Sequence, residues 1–226
     1  MSAVNEWVVR EYFELLGFMV TQPRKYTVPG RPKTADEEVD LVVLNPRAGA
    51  FERPAGMVWA TEDVRRVSRA VVGVRGWHTE RFYASKFEQS PDILRFLEKD
   101  SIDFAATLLG SADMAKILCI PRLPADGDLK NRTIAVLRAK GVDGVISFRT
   151  ILLELIRHVG VHRNYEKSDV LQVIRLLKNY DLLREEQLEL FAGRRKPATA
   201  GKRKSHAAEP EAPAEPEASA EPPSEG

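Results

Sequence analysis

Two short apolar runs rich in β-branched residues constrain the fold of this chain more than any other feature. Residues 39–43 and 70–74 are apolar apart from Asp40 in the first run and Gly73 in the second. Such runs are typical of strands covered on both faces, because every side chain then meets apolar neighbours whichever way it points. The sequence therefore predicts a buried sheet with helices on both sides.

Helical and strand patterns alternate along the rest of the chain. Residues 4–16 form an amphipathic pattern that ends at Gly17, a residue typical of helix C-termini. Further helices are predicted over residues 61–67, 92–99, 103–109, 129–140, 150–159 and 169–180. Strands are predicted over residues 18–21, 39–44, 70–74, 115–121 and 142–148. This order favours an α/β sandwich around a mixed sheet.

The length suits one good-sized domain with extensions or two small domains, and the composition excludes several classes of protein. The chain has 226 residues, of which 43% are hydrophobic and 30% charged, so a sizeable core is expected. No apolar run approaches the ~18 residues of a membrane span, and no secretory signal is recognisable. The single cysteine, Cys119, excludes an internal disulfide and a cysteine-based zinc site. We therefore expect a cytoplasmic protein that does not enter membranes.

The C-terminal part divides into a helical extension over residues 149–191 and a tail over residues 192–226. The tail consists mainly of Ala, Pro, Glu, Lys, Arg and Ser, and such a composition predicts disorder. Its basic residues precede a run of glutamates and are candidates for flexible contacts with a polyanion. These basic residues are Arg194, Arg195, Lys196, Lys202, Arg203 and Lys204.

The N-terminal half resembles the start of PD-(D/E)XK nucleases, closest to the Holliday-junction resolvase and Mrr-like restriction endonuclease branches. The resemblance rests on a glutamate early in the first helix, Glu6, and on a Gly-aromatic-x-Val exit at residues 17–20. It rests further on a Val-Asp strand with Asp40, followed by an apolar third strand at residues 71–75. It implies a restriction-endonuclease-like core, a mixed sheet flanked by helices, over residues 1–148.

The resemblance also implies a metal site, which this chain carries in a degenerate form. In the family, two carboxylates hold Mg²⁺ and a lysine orients the attacking water. Here Glu6 and Asp40 match the carboxylate positions, whereas Gly73 and Arg75 stand where a second strand carboxylate and the lysine are expected. Arginine keeps the positive charge but cannot be deprotonated to act as a base. The remnant catalytic set is therefore Glu6, Asp40 and Arg75.

Other arrangements of these residues are open at this stage. Glu62 or Asp63 is a candidate for a relocated ligand that would hold Mg²⁺ together with Asp40. Alternatively, Arg75 pairs with Asp40 across neighbouring strands and replaces the metal with an internal ion pair. In that case Asp40 and Arg75 point to the same face of the sheet.

Basic and aromatic residues around the third strand are candidates for nucleic-acid contacts. Trp77 and His78 follow the strand and offer base stacking and a phosphate contact, although a packed Trp and a solvated His are the plainer reading. The cationic side chains on either side of the strand are predicted to form one rim near the same end of the sheet. This rim comprises Arg65, Arg66 and Arg69 before the strand and Arg81 and Lys86 after it.

Three functions follow from these observations. The first is a nuclease-like protein that associates with nucleic acid, DNA in preference to RNA, through an incomplete phosphodiesterase site. The second is a catalytically inactive nuclease fold that serves as a protein-interaction module through its helical extension. The third is an active Mg²⁺-dependent endonuclease with a relocated ligand. The chain has no Walker A loop, GxGxxG turn, HExxH motif or Cys/His metal spacing.

Overall fold

The computed structural model describes residues 3–23, 29–30, 33–49 and 52–183, all within one compact unit over residues 1–185. The strands are β1 (Met19–Thr21), β2 (Leu41–Leu44), β3 (Arg69–Val74), β4 (Ala115–Ile120) and β5 (Gly144–Ser147). The first helices are α1 (Ala3–Leu15), α2 (Ala35–Glu38), α3 (Thr61–Arg65) and α4 (Ala84–Gln89). A 3₁₀ helix (Pro91–Leu97) precedes α5 (Lys99–Leu109), α6 (Gly127–Ala139), α7 (Phe148–His158) and α8 (Asp169–Asn179).

The five strands form one mixed sheet in chain order, β1-β2-β3-β4-β5. β2 runs antiparallel to both β1 and β3, whereas β3, β4 and β5 are parallel to one another. Val42 faces Val71 across β2 and β3, and Val72 faces Ile117 across β3 and β4. We call the side where β3, β4 and β5 end the carboxyl edge of the sheet, and the side where they begin its amino edge.

Helices cover both faces of the sheet, as the apolar strands predict. One face packs on α1, α3, α7 and α8, and the other on α4, the 3₁₀ helix, α5 and α6. Along β3, Val72 and Val74 point into the first core and Val71 into the second, because successive strand residues alternate between faces. The predicted α/β sandwich with a mixed, helix-flanked sheet is confirmed.

The boundaries of β2, the strand next to Asp40, differ from the prediction. Residues 39–44 are predicted as a strand, but β2 begins only at Leu41 and the short helix α2 ends at Glu38. α2 forms because the backbone N–H of Thr34 donates to Glu37 Oε2 at 2.9 Å, which completes a capping box. Asp40 therefore lies in the connection between α2 and β2 rather than within the strand.

The segment around the 3₁₀ helix also departs from the predicted pattern. The helix expected over residues 92–99 is a 3₁₀ turn from Pro91 to Leu97, and Lys99 already begins α5. α4 was not predicted, and it buries Phe87 in the second core. Both elements are short, and the buried side chains that fix them leave no long periodic pattern in the sequence.

The last two described helices share the first core with α1. Ile151 and Leu155 of α7 and Leu171 and Ile174 of α8 are buried there together with residues of α1. The described part of the predicted extension over residues 149–191 therefore packs on the sheet, in the first core. The predicted disordered tail over residues 192–226 lies outside the described residues. Among those that are described, no helix has the length and apolar character needed to cross a membrane.

The connection between β2 and β3 crosses to the far side of the sheet. Its Val58 forms a parallel bridge with Val145, so that the segment lies against the outer edge of β5. Trp59 is buried against Gly144, where a Cβ atom would come within 2.2 Å of the indole ring. The chain then returns through α3 to the start of β3.

Candidate functional site

The carboxyl edge of the sheet brings the three residues of the remnant catalytic set into one region. Because β2 is antiparallel to β3, the start of β2 and the end of β3 lie side by side at this edge, which places Asp40 next to Arg75. The first turn of α1 reaches the same edge, since Asn5 Nδ2 donates to the carbonyl of Gly76 at 3.5 Å. Glu6 follows directly in that turn.

Asp40 and Arg75 form a buried ion pair. Arg75 Nη1 donates to Asp40 Oδ2 at 2.6 Å, and the side chains are 3% and 8% exposed. The backbone N–H of Val74 donates to the same carboxylate oxygen at 2.7 Å. The predicted pairing across neighbouring strands is therefore confirmed. The carboxylate is held by a cation and an amide, both of which stabilise its charged form.

The guanidinium group of Arg75 is fixed by contacts besides this carboxylate. Its Nε donates to the carbonyl of Ile93 at 2.8 Å, and its Nη1 donates to the carbonyl of Val74 at 2.8 Å. The ring of Phe96 lies beneath the guanidinium carbon, 5.7 Å away at its centroid. Arg75 thus ties β3 to the 3₁₀ helix, and such a buried, multiply bonded guanidinium is a structural element of the core.

Gly73 leaves no room for the missing carboxylate. A Cβ atom at this position would come within 2.5 Å of Phe96 Cε1, and the Phe96 side chain is itself fully buried. Rebuilding the carboxylate and lysine positions of the family by Gly73→Glu together with Arg75→Lys is therefore sterically blocked at Gly73. The aromatic ring occupies the space that a glutamate side chain would need.

Glu6 is the third member of the set and lies partly buried on α1. Gln22 Nε2 donates to its Oε2 at 2.5 Å. Burial raises the pKa of Glu6 above its usual value, and the Asp40 carboxylate raises it further, whereas the Gln22 hydrogen bond and the Arg75 cation act in the opposite direction. The charges of Asp40 and Arg75 both act on the Glu6 carboxyl, in opposite directions.

The residues at this edge do not fit a Mg²⁺ ion. The bonded oxygen of Asp40 already accepts from a cation and an amide, Gly73 offers no oxygen, and Arg75 places a positive charge where a metal would bind. Over the described ranges, no group of three or more His, Cys, Asp or Glu side chains is arranged to hold a metal ion. The Asp40 carboxylate and the Arg75 guanidinium form an internal salt bridge instead of a metal site.

The two candidates for a relocated ligand are engaged elsewhere. Asp63 Oδ2 accepts the backbone N–H of Ala60 at 3.0 Å and so caps α3. Glu62 is exposed and pairs with Arg65 at 3.8 Å. Both belong to α3, which leads into the amino edge of β3, whereas Asp40 lies at the carboxyl edge. The structure does not bring either carboxylate to Asp40.

The predicted basic rim is also divided between the two edges, so that part of the prediction is wrong. Arg69 begins β3 at the amino edge, where Arg65 and Arg66 precede it, and Arg65 Nη2 donates to Glu154 Oε1 of α7 at 3.2 Å. Arg81 and Lys86 follow the other end of β3. The length of β3, about 16 Å from Arg69 to Val74, lies between the two groups.

An aromatic and cationic surface remains at the carboxyl edge. The rings of Trp77 and Phe82 stack at 5.8 Å with an interplanar angle of 14°, and Lys86 Nζ lies 5.0 Å from the Trp77 ring centroid. Trp77 keeps 39% of its surface exposed. Lys86 also pairs with Glu80. We call Trp77, Arg81 and Lys86 the Trp77 surface.

His78 borders the Trp77 surface and is held by two contacts. Its Nε2 lies 2.9 Å from Asn5 Oδ1, and its ring packs edge-on against Phe148 at 4.7 Å. These contacts tie the end of β3 to both α1 and α7. His78 is therefore exposed but engaged by both contacts, so it is not simply the solvated histidine of the plainer reading.

Sequence reasoning missed the partners that decide the character of the site. Phe96 and the Ile93 carbonyl come from the 3₁₀ helix, and Gln22 and Asn5 come from the flanks of β1 and from α1. None belongs to a recognisable motif. Only the apolar spacing of Ile93 and Phe96 indicated that this turn has a buried side.

The basic clusters of the tail, from Arg194 to Lys204, lie outside the described residues. Comparison of the chain with protein-family models, with curated proteins and with solved structures gave no match.

Proposed function

We propose that this protein is nuclease-like, has a restriction-endonuclease-like fold and associates with nucleic acid without efficient metal-dependent hydrolysis. The observation that carries the proposal is the buried pair between Asp40 and Arg75. It joins the two residues that the resemblance assigns to the metal site, and within the described ranges no group of three or more His, Cys, Asp or Glu side chains is arranged to hold a metal. Glu6 lies at the same edge, as the resemblance requires.

The Trp77 surface supports nucleic acid as the partner. The Trp77 indole stacks on Phe82 and is 39% exposed. Stacking of a base on an aromatic ring contributes about 1–3 kcal/mol per base. Arg81, four residues further along the chain, is exposed, and Lys86, which also pairs with Glu80, lies over the ring. Stacking and phosphate contacts at one edge suit a single strand or an unpaired end better than the interior of a duplex.

The test is a binding titration with duplex, single-stranded and branched DNA and with single-stranded RNA. Each is measured at about 50 and about 200 mM NaCl, with and without Mg²⁺, since phosphate contacts weaken steeply with salt. We expect Trp77→Ala and Arg81→Glu to weaken single-strand binding. Arg132→Glu is the control, because Arg132 is exposed on α6 and has the same charge.

Two results would contradict the proposal. Robust Mg²⁺-dependent cleavage by the wild type, abolished by Asp40→Ala, would show that the site is catalytic after all. If the folded protein binds none of these nucleic acids, the nucleic-acid assignment is wrong. The ion pair between Asp40 and Arg75 then has a structural role only.

A second candidate function, a protein-interaction module, is favoured by the exposed face of α8. Val173, Leu176 and Tyr180 lie three and four residues apart on this helix and are 54%, 44% and 74% exposed. The simplest occupant is a second copy of the chain, since a helix face can pair with itself around a two-fold axis. Light scattering of the wild type and of Leu176→Glu tests this: a dimer that the substitution dissociates supports it, and a monomeric wild type contradicts it.

A further inference from the structure

An open cavity of about 960 Å³ lies where α7 and α8 end, and its lining is predominantly basic. The cavity is far from the Trp77 surface. Phe148, at the start of α7, contacts His78 at the carboxyl edge, whereas His158 ends α7 ten residues later, about 15 Å along the helix. Its charged and titratable lining residues are Arg157, His158, His162, Arg163, Lys178 and Asp181.

Some of this positive charge has a structural explanation. Arg157 and His158 lie in the last turn of α7 and Lys178 in the last turn of α8, where cations are stabilised by the helix dipole. His158 Nδ1 lies 3.0 Å from the carbonyl of Glu154, and Arg157 lies 3.9 Å from the carboxylate of the same residue. These three side chains complement the helix ends.

His162 and Arg163 have no such explanation. They follow α7 by several residues, both are exposed, and within the described part of the chain neither side chain makes a hydrogen bond or an ion pair. The Arg163 stem packs on Gly160, with its Cδ 3.8 Å from the position of an added Cβ. Both side chains line the cavity, and the positive charge of Arg163 has no partner among the described residues.

The loop that carries these two residues is rigidly held. The Gly160 N–H donates to the Tyr165 hydroxyl at 2.9 Å, and Arg175 Nε donates to the carbonyl of Val161 at 3.0 Å. A rigid loop reduces the entropy lost when a ligand binds. Val159, Val161 and Leu183 add apolar walls to the cavity.

We propose that this cavity binds a phosphate-bearing ligand of nucleotide size. A guanidinium fork matches phosphate geometry, imidazoles add further donors, and apolar walls suit a base or sugar. The cavity volume lies at the upper end of small-molecule sites, so it accommodates more than an inorganic ion. Either a free nucleotide or the phosphorylated end of a nucleic acid supplies this chemistry. The inference does not rest on the proposed function, since the two surfaces share no residue.

Calorimetric titrations with pyrophosphate, ADP and a short oligothymidylate, with and without a 5′-phosphate, test the proposal on the full chain. We expect ADP or the 5′-phosphorylated oligonucleotide to bind, and Arg163→Glu to weaken that binding about tenfold or more. His162→Asp is the second variant, and Arg132→Glu is the charge-matched control that leaves binding within about twofold.

These titrations distinguish a free nucleotide from a nucleic-acid end, and the cavity from the Trp77 surface. Stronger binding of ADP identifies a free nucleotide, and a large effect of the 5′-phosphate identifies a nucleic-acid end. The proposal is overturned if neither ligand binds, or if Arg163→Glu and Arg132→Glu weaken binding equally. If ADP does not bind and oligothymidylate binding depends on Trp77 and not on Arg163, the cavity proposal is overturned and the proposed function stays intact.

Discussion

Asp40 and Arg75 show how a buried charge depends on its partner. Removing two ions from water costs several kcal/mol for each, and their attraction offsets this only when the geometry is good and the remaining donors are bonded. Here the guanidinium reaches a carboxylate and two carbonyls within hydrogen-bond distance. Deleting Asp40 removes the carboxylate from a guanidinium that stays buried.

Asp40→Ala is expected to lower the free energy of unfolding by about 3–5 kcal/mol, because Arg75 then remains buried without its counterion. Urea denaturation measures the change. Asp40→Leu combined with Arg75→Met should recover most of the loss, since no ion remains buried. Arg10→Ala, which removes the exposed pair with Glu14, is the control and should cost under about 1 kcal/mol. A cost equally small for Asp40→Ala would contradict the structural role of the pair.

Glu6 should make stability depend on pH. Its pKa in the folded protein is raised from the ordinary value of 4.5, so the folded state binds the proton more tightly than the unfolded chain does. Stability is therefore highest below about pH 4.5 as far as Glu6 is concerned, and falls as the pH rises through the folded-state pKa. Glu6→Gln should flatten this part of the pH profile. Glu14→Gln, exposed on the same helix, is the matched control, and equal effects of the two substitutions would refute the assignment.

The sequence was sufficient to predict the pair but not its surroundings. Asp40 and Arg75 flank neighbouring apolar runs, and the pleat places them on one face once those runs are adjacent and antiparallel. Phe96 comes from a separate element, and no local pattern specifies that its ring lies against Gly73. Contacts between elements distant in the chain depend on packing, which periodicity does not encode.

At the level of elements, the close approach of the 3₁₀ helix to β3 decides what the site can hold. Phe96 packs on the one position of β3 that lacks a side chain. The ring, the glycine and the guanidinium of Arg75 therefore form one packed unit. The sequence predicted the strand correctly and the turn as an α-helix, because Pro91 and the short apolar spacing are compatible with either.

Gly73→Ala is expected to lower the free energy of unfolding by about 1–3 kcal/mol, because the added methyl group overlaps the buried Phe96 ring. The same substitution should cost less in a Phe96→Ala background, where the ring is absent, and urea denaturation of the four proteins measures this coupling. Gly127→Ala is the control, since a Cβ there meets nothing within 4 Å. Additive effects of Gly73→Ala and Phe96→Ala would argue against the contact.

At the level of the whole molecule, stability is expected to reside in the described unit. Residues 192–226 contain no Val, Leu, Ile, Met, Phe, Tyr or Trp. Such a segment gains too little from apolar burial to offset the entropy of ordering it. α8, in contrast, contributes Leu171 and Ile174 to the first core.

Truncation after Phe191 should therefore leave the melting temperature unchanged within error. Truncation after Ser168 should lower it by several degrees or more, because it removes the two core side chains of α8. Differential scanning calorimetry compares the two proteins with the full chain. A large loss on the first truncation would show that the tail stabilises the fold.

The order of strands and helices was predictable because each carries its own periodicity, whereas the grouping of helices was not. Residues 149–191 read as a separate extension, yet α7 and α8 pack on α1 at the start of the chain. The apolar stripe of an amphipathic helix shows that it packs on something and does not identify the partner. The sequence also did not predict that the basic residues lie at two different edges of the sheet, because that depends on the order and direction of the strands.

The bridge between Val58 and Val145 has a consequence for how the molecule behaves among its own copies. An unpaired outer strand offers free amides and carbonyls to which another chain can add, and exposed edges of this kind promote aggregation. The segment at Val58 and Trp59 occupies that position along β5: the Trp59 N–H donates to the Val145 carbonyl at 2.9 Å, and the Val145 N–H donates to the Met57 carbonyl at 2.7 Å. On the opposite side the outermost described strand, β1, is three residues long, which limits what an incoming strand can gain. The crossing connection thus covers the β5 edge against edge-to-edge association, which matters most where the protein is concentrated.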